Sequence, residues 1–293
     1  HIMENIVFIL NLNIMKKLLF LFIGIIFLLA NIKAQTKPGF ETMVDKYKVL
    51  DLADIKVTYR LLSMQDTVKK NVEEDIQVLL LGKNVSKYYS QKYLEYNINS
   101  TKLILKGADA IPGFREDGAF GYEIFKNMKD SEMEVTDLGS CIGGNYIYKE
   151  AIPAIDWKIE NEYCKVLSYS CQKAIGYFRG RTYEVWFTTD IPVNNGPWKL
   201  GGLPGLILKA SDSRNHYVFE CIGLEQLKAK EEIRKYDVEY KEAKREEIDK
   251  LYKRYHKDYI AYNLLRGEST LFLNPVTQKW EKQTNAKKPL PYN

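Results

Sequence analysis

The sequence predicts an α+β protein: a curved, mainly antiparallel β-sheet of half-barrel type, with one long C-terminal helix packed against it. Three observations carry this expectation. Short runs rich in β-branched and aromatic residues recur from Lys56 to Ile222, each bounded by Asp, Asn or Gly. No helical pattern intervenes in the middle of the chain, so successive runs read as an antiparallel meander. The period then changes once, where Ile248, Leu251, Tyr252, Tyr255, Tyr259 and Tyr262 fall at helical spacing. A β-sandwich is the alternative architecture.

Taken in chain order, the first element is not part of the fold. Met15-Lys16-Lys17 gives a positive start, Leu18 to Ala30 an apolar run, and Ala34 a small residue before Gln35. This is the pattern of a secretory signal peptide over residues 1–34, preceded by His1-Ile2 as extra sequence. The run is shorter than the ~20 residues of a bilayer span, so a retained anchor is the weaker reading. Residues 35–293 then form one domain without a transmembrane anchor. Hydrophobic residues make up 45% of the chain and charged residues 28%, which excludes long disorder and a polytopic membrane protein. The formal net charge of +5 is carried by interspersed signs. Nucleic acid, which wants a concentrated basic face, is not an expected partner.

Residues 35–55 read as an irregular or edge segment. Strands are expected at Val57–Leu62, Asp75–Leu81 and Val85–Tyr89, while residues 90–115 are ambiguous. Further strands follow at Glu123–Met128, Glu132–Leu138 and Tyr146–Tyr148. The middle is clearer: Ile155–Glu160, Glu162–Val166 and Tyr169–Arg179 precede the alternating Arg181–Thr188 run. A second hairpin joins Gly205–Ala210 to Tyr217–Ile222 over the polar turn Ser211–His216. The long helix is expected over residues 240–265, and the tail from Asn274 is expected to be extended.

The four cysteines, Cys141, Cys164, Cys171 and Cys221, all follow the leader, and an even number in an exported chain favours disulfides. Cys164 and Cys171 flank a hairpin centred on Leu167-Ser168 and are the candidate pair; four buried thiols is the alternative. No C-x-x-C, H-E-x-x-H, G-x-S-x-G or phosphate-binding loop occurs, and the only histidines after the leader are His216 and His256. No metal and no cofactor is expected. Ser211, Asp212, Ser213 and His216 are triad residue types, but a turn needs such residues for its own reasons.

The densest signal runs from Gly176 to Ala210. Arg179 and Arg181 lead a strand containing Trp186 and ending at Asp190, and the loop beyond holds Pro197, Trp198, Gly201, Gly202, Leu203, Pro204 and Gly205. Proline fixes φ and glycine admits conformations closed to other residues, so this loop can be shaped tightly around a buried Trp198. It is expected either to plug one end of the sheet or to form the rigid rim of a ligand site.

Gly202-Leu-Pro-Gly-Leu-Ile207, with Asp156-Trp-Lys, Phe178-Arg-Gly-Arg181, Asp190-Ile-Pro192 and Gly196-Pro-Trp-Lys199, resembles the GLPGLI family of exported proteins from Bacteroidetes-type bacteria. The strand–loop–strand pattern is more weakly similar to LolA-like lipoprotein carriers. The resemblance implies work at the periplasm or outer membrane, with a TonB-dependent receptor system or an apolar or peptide ligand as partner. The expected function is therefore an exported, non-enzymatic binding or carrier protein. The alternatives are a secreted enzyme using carboxylates and arginines, such as Asp190 with Arg179 and Arg181, or a structural envelope protein.

Overall fold

A computed structural model describes residues 43–66, 70–108, 119–139, 142–265, 271–273 and 280–282. The expected signal peptide, Cys141 and most of the tail lie outside the described residues. The protein is mostly β. Six strands form a first antiparallel meander: β1 (Tyr47–Asp66), β2 (Asn71–Gly82), β3 (Val85–Ser90), β4 (Tyr122–Asn127), β5 (Glu132–Asp137) and β6 (Tyr146–Ala151). Five form a second: β7 (Trp157–Val166), β8 (Tyr169–Phe178), β9 (Arg181–Thr188), β10 (Leu206–Asp212) and β11 (Tyr217–Tyr236). β11 returns to pair with β1 and joins the two, so that with β12 (Lys241–Glu242) one open sheet runs β12-β6-β5-β4-β3-β2-β1-β11-β10-β9-β8-β7. Every pairing is antiparallel except that of β12 with β6. β13 (Leu271–Leu273) and β14 (Trp280–Lys282) make a separate small pair.

The expected α+β architecture with a long C-terminal helix is corrected here. The helices are α1 (Gln91–Leu105), α2 (Arg245–Lys257) and α3 (Tyr259–Leu265). The 240–265 stripe is broken at Asp258, whose backbone leaves the helical region at φ −157° and ψ 85°. Its carboxylate accepts from the Ala261 N–H at 2.9 Å, so it starts α3 instead of continuing α2. α1 fills the stretch that the sequence leaves ambiguous. Ser90 caps it by accepting from the Tyr93 N–H, yet its buried face contains Asn97, Ser100 and Thr101, which blurs any apolar stripe. No helix among the described residues is long and apolar enough to cross a membrane.

Two features of the sheet position everything else. First, its wings approach one another: Glu150 on β6 and Arg179 at the β8–β9 turn lie near opposite edges, yet make an ion pair at 2.6 Å. The space between the wings is filled by the main core. Tyr59, Leu79, Tyr88, Ile124 and Val135 from the first meander meet Tyr183, Val185 and Phe187 from the second, together with Ile191, Trp198, Leu200 and Leu203 from the loop between β9 and β10. Second, the β1/β11 ribbon bends at bulges between Val49 and Asp51 and between Ala53 and Ile55. Its far end covers the opposite face, where Ala53 and Ile233 pack on Val78, Leu80, Tyr89 and Phe125. There Lys87 and Glu123 form a buried pair at 2.7 Å, and Lys87 also donates to the Arg234 carbonyl at 2.8 Å. β1 thus begins well inside the segment that reads as irregular.

Candidate functional site

The loop between β9 and β10 is held in place by buried polar contacts. Lys126 on β4 donates to Asn195 Oδ1 at 2.9 Å and to the Leu200 carbonyl at 2.7 Å. Asn195 in turn donates to Ser86 Oγ at 2.8 Å. Trp157 donates from Nε1 to the Gly201 carbonyl at 2.8 Å. So tethered, the loop drives Trp198 into the core at 1% exposure, with Phe178 and Tyr183 rings 5.5 and 6.3 Å away. Trp198 has φ +53°, in the left-handed region, and packing around the ring keeps it there.

The chain then places Lys199 in a small cavity of about 60 Å³ between the β4–β6 wing, the β8–β9 turn and α2. Aromatic walls come from Phe120, Tyr122, Tyr148, Trp198 and Tyr252; polar groups from Asp137, Arg179, Lys199 and Asp249. Glu150 is the hub beside it. It accepts from Lys199 Nζ and Arg179 Nη2, both at 2.6 Å, and Arg245 Nε lies 3.6 Å away. Lys199 also donates to the Tyr148 hydroxyl at 2.8 Å. Arg245 pairs one turn along α2 with Asp249 at 2.6 Å, and the Tyr252 hydroxyl donates to Asp137. Burial, with Arg179 adding repulsion, pushes the Lys199 amine down to about 8, although Glu150 opposes the shift. Lys126, buried without a carboxylate and near Lys199, is pushed down to about 7. The cavity therefore offers carboxylates, a lysine able to exchange its proton near neutral pH, and aromatic faces. It has room for a few waters or one small polar group.

The residues singled out in the sequence separate in space. Arg179 reaches the cavity because it and Gly180 both take positive φ in the β8–β9 turn. Arg181 instead forms a buried pair with Asp212 at 2.6 Å, and Asp212 accepts from the Tyr217 N–H at 2.8 Å. His216 Nδ1 lies 3.2 Å from Arg181, so the polar turn is clamped to β9 and is not a triad. Asp190 is exposed and accompanies neither arginine; its N–H bonds Thr188 Oγ1. Trp186 lies half-buried beside Glu184 on the other face. Pro197, Gly201, Leu203 and Gly205 are buried, Gly202 and Pro204 exposed. Cys164 and Cys171 are direct partners across the hairpin but free thiols, as is Cys221. With two turn residues they occupy a hydrogen-bonded pair, where opposed side chains stand farther apart. Sequence reasoning missed Glu150, Arg245 and Asp249. Lone charged residues in a strand and on a helix give no signal; only Lys199, beside Trp198 in the rigid loop, was within reach. Among the described residues no group of three or more His, Cys, Asp or Glu could hold a metal.

The match to known families falls on this region. Residues 125–254 match the model of the N-glycanase peptide, N-terminal domain. This overturns the resemblance to the GLPGLI family and to LolA-like carriers: Gly202–Ile207, which carried it, lies inside the matched segment. The match also goes against the expectation of a non-enzymatic protein, since the matched domain is one named for an N-glycanase. Among solved structures, two of PNGF-II, in P21 and C2 space groups, are 18% and 19% identical, each with a TM-score of 0.44. Both alignments cover 67% of this chain and 32% of that chain. An uncharacterized conserved protein from Thermus thermophilus is 10% identical over 66% of this chain and 91% of its own, with a TM-score of 0.33. The chain thus spans about a third of the length of PNGF-II. No curated protein matches.

Proposed function

We propose that this chain works in a secreted glycan-processing enzyme of N-glycanase type, and that the cavity around Lys199 receives a polar group of the glycosylated substrate. One observation carries the reading: the segment matching the N-glycanase domain, residues 125–254, contains Tyr148, Glu150, Arg179, Lys199, Arg245, Asp249 and Tyr252. The chemistry is compatible with it. Aromatic faces beside charged hydrogen-bonding groups suit sugars, which present apolar faces ringed by hydroxyls, and acid–base groups poised near neutral pH suit hydrolysis. Export, expected from the leader, agrees with a substrate found outside the cytoplasm.

The test uses a denatured glycoprotein carrying N-linked glycans, incubated with the chain and followed by mass spectrometry. Release of glycan with conversion of the attachment Asn to Asp, lost in Lys199→Met and Glu150→Gln variants that still fold, is the expected result. A wild-type chain that neither releases nor binds the glycan overturns the proposal.

A further inference from the structure

The cavity beside Lys199 is small for a sugar. At about 60 Å³ it holds a few waters, whereas seats for whole small molecules measure roughly 300–1,000 Å³. One wall can yield. Ile248, Asp249 and Tyr252 of α2 line one side of the cavity, and Ile124, Val135 and Trp198, which belong to the main core, line another. The helix therefore faces the core across a void at this point. Among the described residues, none of the apolar clusters includes a residue of α2, and Ile248 is the one α2 residue that is buried. Apolar atoms facing a void have no partners on that side, so little dispersion energy holds the helix down there.

The helix is also built to move as one body. Its first turn carries Glu246 and Glu247 and its last turn Arg254, His256 and Lys257, each sign suited to its end of the helix dipole. Glu247 closes the N-terminus by accepting from the Lys244 N–H at 2.8 Å. Arg245 bonds Asp249 at 2.6 Å and Glu246 at 2.8 Å, both on the helix, while its approach to Glu150 on β6 is 3.6 Å, too long for a hydrogen bond. These bonds travel with α2. Its two ends are tethered. The Ala243 N–H donates to the Ile147 carbonyl at 3.0 Å before it, and the Tyr262 hydroxyl donates to the Ile142 carbonyl at 2.9 Å after it. The flanking residues Lys244 and Asp258 both have non-helical backbone, so a joint lies between each tether and the helix. In the middle, the Tyr252 hydroxyl donates to Asp137 on β5 and latches α2 over the cavity.

We propose that α2 is a strap over the site, jointed at Lys244 and Asp258, which turns outward to admit a sugar ring and returns to enclose it. The identity of what enters rests on the glycan reading given above; the strap itself rests on the void, the internally bonded helix and the latch. The form with the strap turned out is the one that admits the ring, so its population scales the apparent affinity.

The experiment reads the exposure of Lys199 by brief acetylation of the full chain near pH 8, followed peptide by peptide by mass spectrometry. Lys199 is 4% exposed, and its amine, held at about 8, is reactive at that pH once uncovered. Lys87, buried on the opposite face of the sheet, reports any general opening of the fold. Tyr252→Phe removes the latch and keeps the ring, and Ile248→Ala trims the side chain that borders the void. Each is expected to raise the acetylation rate of Lys199 about tenfold or more, while that of Lys87 stays within about twofold. Lys199 rates unchanged in both variants, or rising only in step with Lys87, overturn the strap. Glycan release and binding are read separately on the same proteins. Unchanged labelling beside active release refutes the strap alone, and faster labelling in a chain that neither releases nor binds glycan refutes the sugar while α2 still opens.

Discussion

Replacing Trp198 by alanine is the sharpest test of how the loop between β9 and β10 is held. The ring is 1% exposed and lies against Phe178 and Tyr183. A buried Trp removes roughly 200 Å² from water, which at about 25 cal/mol/Å² is about 5 kcal/mol, part of it retained by the alanine methyl. The two ring contacts add about 0.5–1.5 kcal/mol each. Partial collapse of the emptied site offsets some of this, so the expected loss is about 4 kcal/mol, within the range for large aromatic truncations. For a domain of this size that lowers Tm by about 8–16 °C. A companion variant separates packing from backbone strain. Trp198 has φ +53°, a conformation that costs a side-chain-bearing residue about 1–2 kcal/mol and glycine nothing. Trp198→Gly should therefore be no less stable than Trp198→Ala, against the usual order of these residues. Urea unfolding followed by circular dichroism measures both. A loss below about 1.5 kcal/mol in the alanine variant, or a glycine variant clearly the weaker of the two, would refute the reasoning.

Two further outcomes follow from the same region. A Cβ added at Gly205 would run into the Thr188 carbonyl, which is backbone and cannot swing aside, whereas at Gly202 it would meet Trp157 Nε1 at 3.3 Å, a side-chain contact that a shift of a few tenths of an ångström relieves, and a left-handed φ of +92°. Gly205→Ala should therefore lower Tm more than Gly202→Ala, which should cost about 1–2 kcal/mol; equal melting curves would contradict this. Burial holds Lys126 at about 7 against its ordinary 10.5, so between these values the unfolded chain binds a proton that the folded one lacks. Stability should accordingly rise from about pH 7 toward pH 10, with Lys199, held at about 8, adding in the same direction. Lys126→Met should flatten part of that rise whatever it does to absolute stability, and a urea midpoint whose pH slope is the same in both proteins would sink the argument.

The strands from Val57 to Ile222 were legible because their residues alternate or cluster in the way a half-buried pleat requires. What was hidden depends on partners distant in sequence. The second half of β11, Leu224–Tyr236, is rich in Lys and Glu and ordinarily favours helix; it is extended because it pairs with Tyr47–Val57. The helical stripe of 248–262 is real in Ile248 and Tyr262, both buried, but periodicity cannot register a cap such as Asp258 inside it. In the site, Trp198 and the loop announced themselves through Pro and Gly. Glu150 did not, since its role arises only when a strand, a turn, a loop and a helix from four parts of the chain converge.

The pairing of β1 with β11 also bears on how the chain reaches this state. Tyr47 meets Tyr236 and Ser63 meets Tyr217, so the seam uniting the two meanders is made of residues from nearly opposite ends of the described chain. Contacts of such long sequence separation form slowly, because a large loop must close before any of them is made. While synthesis delivers the chain from its N-terminus, β1 through β6 emerge first and expose both the raw edge of β1 and the face that the ribbon and the second meander will cover. That half-made sheet is a template for illicit strand pairing until residue 236 arrives. Chains stopped short of β11 should accordingly aggregate rather than persist as a folded fragment, and the last long strand sets the moment at which the molecule becomes safe.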